Sequence, residues 1–250
     1  MDPAPLTLFV GYPRRPGCAA ADPGAYPRAS LRAPARLART AGSLLNLSFN
    51  QLWAGALNSR TDGVRFFAMC HDDIEVGAGW ADVLFDEMQA TGADVVSVAV
   101  PLKDARGLTS TAVHNQTTGE VRRLTLAELF TLPPTFDLAD LVAAGIARGD
   151  GAETLLVNTG LWLCRFGDWC DEFPGFRNMF DGVKRLPDGR FVASCLPEDW
   201  SFSVWAARAG LSVKVTRKVP LAHLGAGGVE YRNDRVWGEY ATDPGDTPTI

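Results

Sequence analysis

The chain has no C-x-x-C pair, no excess of positive charge and only three histidines. It also lacks any apolar run of the roughly 20 residues that a bilayer-spanning helix needs. Each absence removes a class of reading. The five cysteines (Cys18, Cys70, Cys164, Cys170 and Cys195) are an odd number, which fits reduced thiols in a cytoplasmic protein better than a disulfide framework. Cys70 and Cys164 lie inside apolar runs and read as small core residues. A net charge of −5 and a pI near 5.2 leave no electrostatic footprint for stable nucleic-acid binding. The local exception is Arg14, Arg15, Arg28, Arg32, Arg36 and Arg39, which serve either a phosphate-bearing ligand or simply a solvated surface. The opening Met1-Asp2-Pro3-Ala4-Pro5 has no charged region leading into a long apolar one, so a secretory leader is not expected. What is present is ordinary for a soluble domain: 250 residues, 46% hydrophobic and 21% charged.

Apolar runs alternate with helical periodicity along the chain. Leu6 to Val10 predicts a first strand, ended by Gly11 and Pro13. Residues 12 to 36 are rich in Pro, Ala, Gly and Arg without a clean period and read as a loop, with or without a short helix. Leu45, Phe49, Leu52, Trp53, Ala56 and Leu57 recur at three and four, which predicts a helix. Val64 to Met69 is a buried strand, and Trp80, Val83, Leu84 and Met88 stripe a helix that Gly92 caps. Asp94 to Val100 is another strand, and residues 101 to 120 form a long loop or a hairpin. Short helices are expected over Leu124–Leu132 and Leu138–Ala147. Strand pattern returns at Thr154–Val157, Leu161–Cys164, Val213–Val215 and Val219–Leu224. Leu196-Pro197-Glu198-Asp199 opens a helix closed by Gly210. Alternating strands and helices predict an α/β domain with a mostly parallel central sheet flanked by helices.

Polar residues collect at the ends of these elements. The run Phe66-Phe67-Ala68-Met69-Cys70 stops in His71-Asp72-Asp73, carboxylates delivered to the strand edge where α/β proteins bind ligands. Glu198-Asp199 opens a helix, and His223 ends a late strand. Taken singly, the first is equally a solvated turn, the second ordinary macrodipole chemistry and the third a structural histidine. Oxygen-rich clusters suit a hard cation such as Mg²⁺ or Mn²⁺, and hence a diphosphate.

Phe49-Asn50-Gln51-Leu52-Trp53 leads into Phe66 to Asp73 and then Gly79-Trp80. Asn158-Thr159-Gly160-Leu161-Trp162, Leu196-Pro197-Glu198-Asp199-Trp200 with Arg208-Ala209-Gly210, and Pro220-Leu221-Ala222-His223-Leu224-Gly225 follow in order. Over residues 44 to 225 this resembles the nucleotide-sugar-dependent glycosyltransferases of GT-A (Rossmann-like) fold, of the broad family-2 type, with His71-Asp72-Asp73 as a variant D-x-D motif.

The resemblance implies metal-dependent transfer of a sugar from a nucleotide-sugar donor, foremost a UDP-sugar, to an acceptor hydroxyl with inversion. It implies Mn²⁺ or Mg²⁺ held by Asp73 and His223, with His71 a further ligand. It implies donor binding by Asp72, Asn50, Gly11, Asn158 and Gly160, and a general base at Asp199 with Glu198 as the other candidate. Trp162 and Trp200 are stacking walls for the sugar or plain core aromatics. The loop around Lys103 is a cover over the diphosphate or a solvated turn. Residues 1–240 form one catalytic domain, 1–100 serving donor and metal and 101–240 the acceptor, with 241–250 a flexible tail. The acidic second strand usual in the family is absent between residues 12 and 44, which leaves the donor base open. The acceptor is equally open among saccharide, lipid-linked glycan, protein and small molecule. Because His71 replaces an acidic residue, the second reading is a catalytically degenerate domain that binds nucleotide-sugar or glycan. The third is another nucleotide-using α/β enzyme, for which Gly11-Tyr12-Pro13-Arg14-Arg15 is a poor signature.

Overall fold

The computed structural model describes residues 7–14, 34–185 and 187–240. Cys18, Arg15, Arg28, Arg32 and the tail 241–250 lie outside the described residues. The chain opens with β1 (Thr7–Arg14) and β2 (Ala35–Ala41), then α1 (Leu45–Asn58), β3 (Val64–Cys70), the short β4 (Ile74–Val76), α2 (Trp80–Thr91) and β5 (Val95–Val98). The middle section contains β6 (Leu108–Asn115), β7 (Val121–Thr125), α3 (Leu126–Thr131), β8 (Thr135–Phe136), α4 (Leu138–Ala143), β9 (Glu153–Leu156), β10 (Leu161–Arg165) and α5 (Trp169–Glu172). It closes with β11 (Met179–Arg185), β12 (Phe191–Leu196), α6 (Glu198–Arg208), β13 (Val213–Thr216), β14 (Leu221–Leu224) and β15 (Glu230–Arg232).

The central sheet runs β2-β1-β3-β10-β5-β13-β8. β2, β1, β3, β5 and β13 share one direction, while β10 and β8 oppose their neighbours. The architecture is therefore mixed α/β, and the expected mostly parallel sheet is interrupted at its centre. The interruption matters for the site. Because β10 is antiparallel, its leading residues 158–160 arrive at the same edge as the end of β3, with Leu161 opposite Cys70.

Side chains alternate across the sheet, so each strand feeds two cores. Phe66 and Ala68 of β3, with Leu161 and Leu163 of β10, pack beneath Trp80, Leu84 and Met88 of α2. Phe67 and Met69, with Trp162 and Cys164, pack beneath Phe49, Leu52 and Trp53 of α1 and Phe202 of α6. Burial on both faces is why these strands read as unbroken apolar runs. Among the described residues no helix is long and apolar enough to cross a membrane.

β1 runs on through Gly11 and Pro13, past its expected end. Beyond Gly11 it pairs with β2 alone, so Pro13 sits where one side of the strand is open and its missing N–H breaks no ladder. β2 begins in the last two residues of the stretch expected to be loop and runs beyond it to Ala41. As an edge strand it presents Arg36 and Arg39, with Leu37 and Ala38 half-buried, a pattern too polar for an apolar-run criterion. Arg36 is tied to Asp62 at 2.6 Å. Residues 108–125 form the hairpin alternative, extended to three strands by β9. α3 and α4 both start with full capping boxes, at Thr125/Glu128 and Asp137/Asp140.

Candidate functional site

The turn after β3 puts His71, Asp72 and Asp73 at the sheet edge. The His71 N–H donates to the Gly160 carbonyl at 2.8 Å, and the Leu224 N–H donates to the Asp73 carbonyl at 2.7 Å. Two segments expected to matter, 158–160 and 223–225, are thus stitched to the acidic turn by backbone hydrogen bonds. The first follows from the β3–β10 pairing, and the second from β4, for which the sequence gives no local signal. β4 pairs with β14 and places Ile74 opposite His223.

At the centre is Asp73. Its Oδ2 lies 2.5 Å from Lys103 Nζ and 3.6 Å from His223 Nε2. Its Oδ1 is buried without a hydrogen-bond partner. Burial alone would raise this carboxyl, but the contacts with His223 and Lys103 and the nearby His71 outweigh it and hold Asp73 well below the usual carboxylate range. His223 Nδ1 donates to the Pro101 carbonyl at 2.7 Å, since a carbonyl only accepts. That bond turns Nε2 toward Asp73, the orientation that a backbone carbonyl gives to a metal-binding histidine. An orphaned carboxylate oxygen beside such a nitrogen has the chemistry to take a hard divalent cation. Among the described residues, however, no three His, Cys, Asp or Glu side chains converge on one metal position. Of the expected ligand set the structure brings Asp73 and His223 together. His71 instead packs its ring on Phe49, with centroids 4.9 Å apart. Asp72 is half-buried on the same turn. Asp72 and Asp73 add to burial in pushing the Cys70 thiol up to about 12, which makes it an un-ionised core thiol.

Asn158 and Gly160 meet this turn from the β10 side. Asn158 Oδ1 accepts from the Gly160 N–H at 2.5 Å, and its backbone carbonyl accepts from Ser97 Oγ, also at 2.5 Å. A Cβ on Gly160 would stand 2.7 Å from Asn158 Oδ1, 3.0 Å from Ile74 Cδ1 and 3.4 Å from His71 Nδ1. Only glycine fits that junction.

The start of α6 forms the other part of the site. The Trp200 indole donates to the Ser110 carbonyl at 3.0 Å, and the Arg123 guanidinium lies 4.4 Å above its ring. Ser203 Oγ donates to the Asp199 carbonyl at 2.9 Å and accepts from the Val157 N–H at 2.9 Å. Asp199 is therefore linked through one serine to the residue preceding Asn158. Asp199 Oδ1 accepts from the Trp200 N–H at 2.8 Å. A helix N-terminus favours negative charge, yet here burial wins. Burial and the neighbouring Glu198 push Asp199 up to about 7, against the Trp200 N–H and Arg123. Burial also raises Glu198. Arg123, itself lowered by burial, faces Asp199, Asp104 and Arg106. It ties the α6 start to the 103–106 loop that carries Lys103. That loop is fastened from behind by Glu239 and Tyr240, whose N–H groups donate to the Ala105 and Arg106 carbonyls.

Other expected residues take structural positions. Asn50 turns its whole carboxamide to Phe176, donating to its carbonyl at 2.7 Å and accepting from its N–H at 2.8 Å. Gly11 lies inside β1, where a Cβ would press on Leu52 at 3.1 Å. Trp162 and Trp200 are 0% and 1% exposed, so they are core aromatics and not stacking walls. Arg123 and Ser203 escaped the sequence reading. Each acts through a partner distant in the chain, and neither has a local signal beyond its residue type.

No protein-family model matches the chain. No curated protein matches it either. Among solved structures it is similar to A197 from STIV, at 11% identity and a TM-score of 0.49, with 93% of this chain and 94% of that chain covered. Likeness at that level carries no argument about activity.

Proposed function

We propose that this chain is a GT-A-type glycosyltransferase that moves a sugar from a nucleotide-sugar, foremost a UDP-sugar, to an acceptor hydroxyl. The observation that carries the reading is a pair of carboxylates driven in opposite directions by their surroundings. Asp73 is held ionised by Lys103 and the two histidines, and Asp199 is raised to about 7. Carboxylates separated in this way are suited to separate roles in one reaction. Asp73 is the anchor for positive charge at the leaving diphosphate. Asp199 has the basicity to take the acceptor's proton near neutral pH.

Lys103 pairs with Asp73 in the free protein and brings an ammonium to where phosphate oxygens would sit. Asp73 and His223 Nε2 are the residues that would hold a divalent cation, which supplies charge neutralisation for the departing diphosphate. Gly160, whose carbonyl accepts from the His71 N–H, and Asn158 beside it would position the sugar. Base-assisted attack from the side opposite the departing diphosphate would give inversion at the sugar carbon.

Calorimetry with UDP-, GDP- and dTDP-sugars, with and without Mn²⁺, tests the proposal. Binding of one donor that strengthens with Mn²⁺ and is lost in Asp73→Asn is the expected result. No binding of any donor under either condition refutes it. Binding without transfer or slow donor hydrolysis leaves a binding module in place of an enzyme.

A further inference from the structure

β11 and β12 pair with each other and, among the described residues, with no other strand. A lone two-stranded sheet is marginal in water and gains stability only by packing on something. The register of this hairpin contains a bulge: Phe180 stands opposite Cys195, but Gly182 stands opposite the next residue, Ser194. Phe180 and Val183 are three residues apart, so in a regular strand they would point to opposite faces. The extra residue brings them onto one face, with Phe191, Ala193 and Cys195 on the facing strand. On that face Phe180 is 78% exposed, Val183 70% and Phe191 70%. A bulge that gathers apolar side chains on a face that none of the described residues covers marks a surface for a partner.

Charge selects the partner. Arg185 shares the apolar row, its guanidinium 5.8 Å from the Phe191 ring centroid. Arg190 adjoins it at the tip, 75% exposed beside Asp188. Over residues 177–196, Arg177, Lys184, Arg185 and Arg190 stand against Asp181 and Asp188, a local charge of +2 in a chain of net charge −5. A second copy docked face to face would bring two hairpins of like positive charge together. An anionic lipid surface satisfies both components, taking the rings into the headgroup boundary and the guanidiniums onto lipid phosphates. We propose that the β11–β12 hairpin docks this protein peripherally on an anionic membrane surface. The docking stands on the hairpin alone and holds whether or not the sugar-transfer reading does.

Flotation of the full chain with vesicles tests it. One set contains phosphatidylcholine alone, and the other contains about one-third phosphatidylglycerol. Binding is expected to the anionic vesicles only and to weaken as salt rises. Arg185→Glu with Arg190→Glu should weaken it by at least about thirtyfold, from a factor of roughly five per basic residue. Phe180→Ser, Val183→Ser and Phe191→Ser together should abolish it, with an unchanged circular-dichroism melt as the folding control. The wild-type comparison of the two vesicle sets and its salt series need no variant. Equal binding to both sets, binding to neither, or a triple variant that floats as well as wild type overturns the proposal. A wild-type dimer in light scattering that the triple variant loses, without vesicle binding, also overturns it and assigns the face to a second copy.

Discussion

Replacing Asp199 with Asn should make the protein more stable above neutral pH and inactive at the same time. The carboxyl is raised from an ordinary 3.8 to about 7 in the folded chain. The folded protein therefore binds this proton more tightly than the unfolded chain does, and stability falls as pH rises from about 4 to about 7 and stays low above that. At about 1.4 kcal/mol per pKa unit, the shift bounds the charging cost near 4 kcal/mol. The side chain is only half-buried and part of the cost is repulsion from Glu198, so about 2 kcal/mol is the working figure. Asn keeps the acceptor for the Trp200 N–H and carries no charge to bury. For a chain of this size about 2 kcal/mol corresponds to a gain of about 4–8 °C in Tm. Thermal melts of both proteins from pH 4 to pH 8 give the test. The difference should be near zero at pH 4 and reach its plateau above pH 7. A flat difference across that range, or an Asp199→Asn protein that still transfers sugar, refutes the assignment.

Asn50→Ala removes both hydrogen bonds to Phe176 and should destabilise the fold by about 2 kcal/mol in denaturant melts, with donor affinity unchanged; a selective loss of donor affinity would return Asn50 to the donor site. Gly160→Ala forces a Cβ to 2.7 Å from Asn158 Oδ1 and should cost about 1–3 kcal/mol and lower transfer more than donor binding, measured by steady-state kinetics beside calorimetry. Lys103→Met takes the ammonium off Asp73 and should raise Mn²⁺ affinity in titrations of the free protein while weakening nucleotide binding; weaker Mn²⁺ binding would mean that Lys103 organises the carboxylate instead of competing for it.

The legible parts of the chain were those whose signal is local. α1, α2, β3, β5 and α6 are legible to within a few residues of their bounds because their side chains carry a 3.6-residue stripe or an unbroken apolar run. Gly92, a glycine directly after the α2 stripe, caps the helix with φ +70. β2 and β4 were illegible for the opposite reason. One is a polar edge, and the other has three residues and exists because β14 is there to pair with it. The bulge that turns Phe180 and Val183 to one face leaves no trace in composition.

The same division runs through the site. Residue order alone determined that His71-Asp72-Asp73 ends a buried strand and that Glu198-Asp199 opens a helix, since those facts depend on neighbours a few residues away. It could not determine charge states or partners. Tertiary structure decided that Asp73 meets Lys103 and His223, that Asn50 serves Phe176, that His71 packs on Phe49, and that Asp199 is raised to about 7. The reason is physical. Periodicity is written along the chain, whereas desolvation and ion pairing depend on which distant segments the antiparallel β10 and the β4–β14 pair bring to one edge.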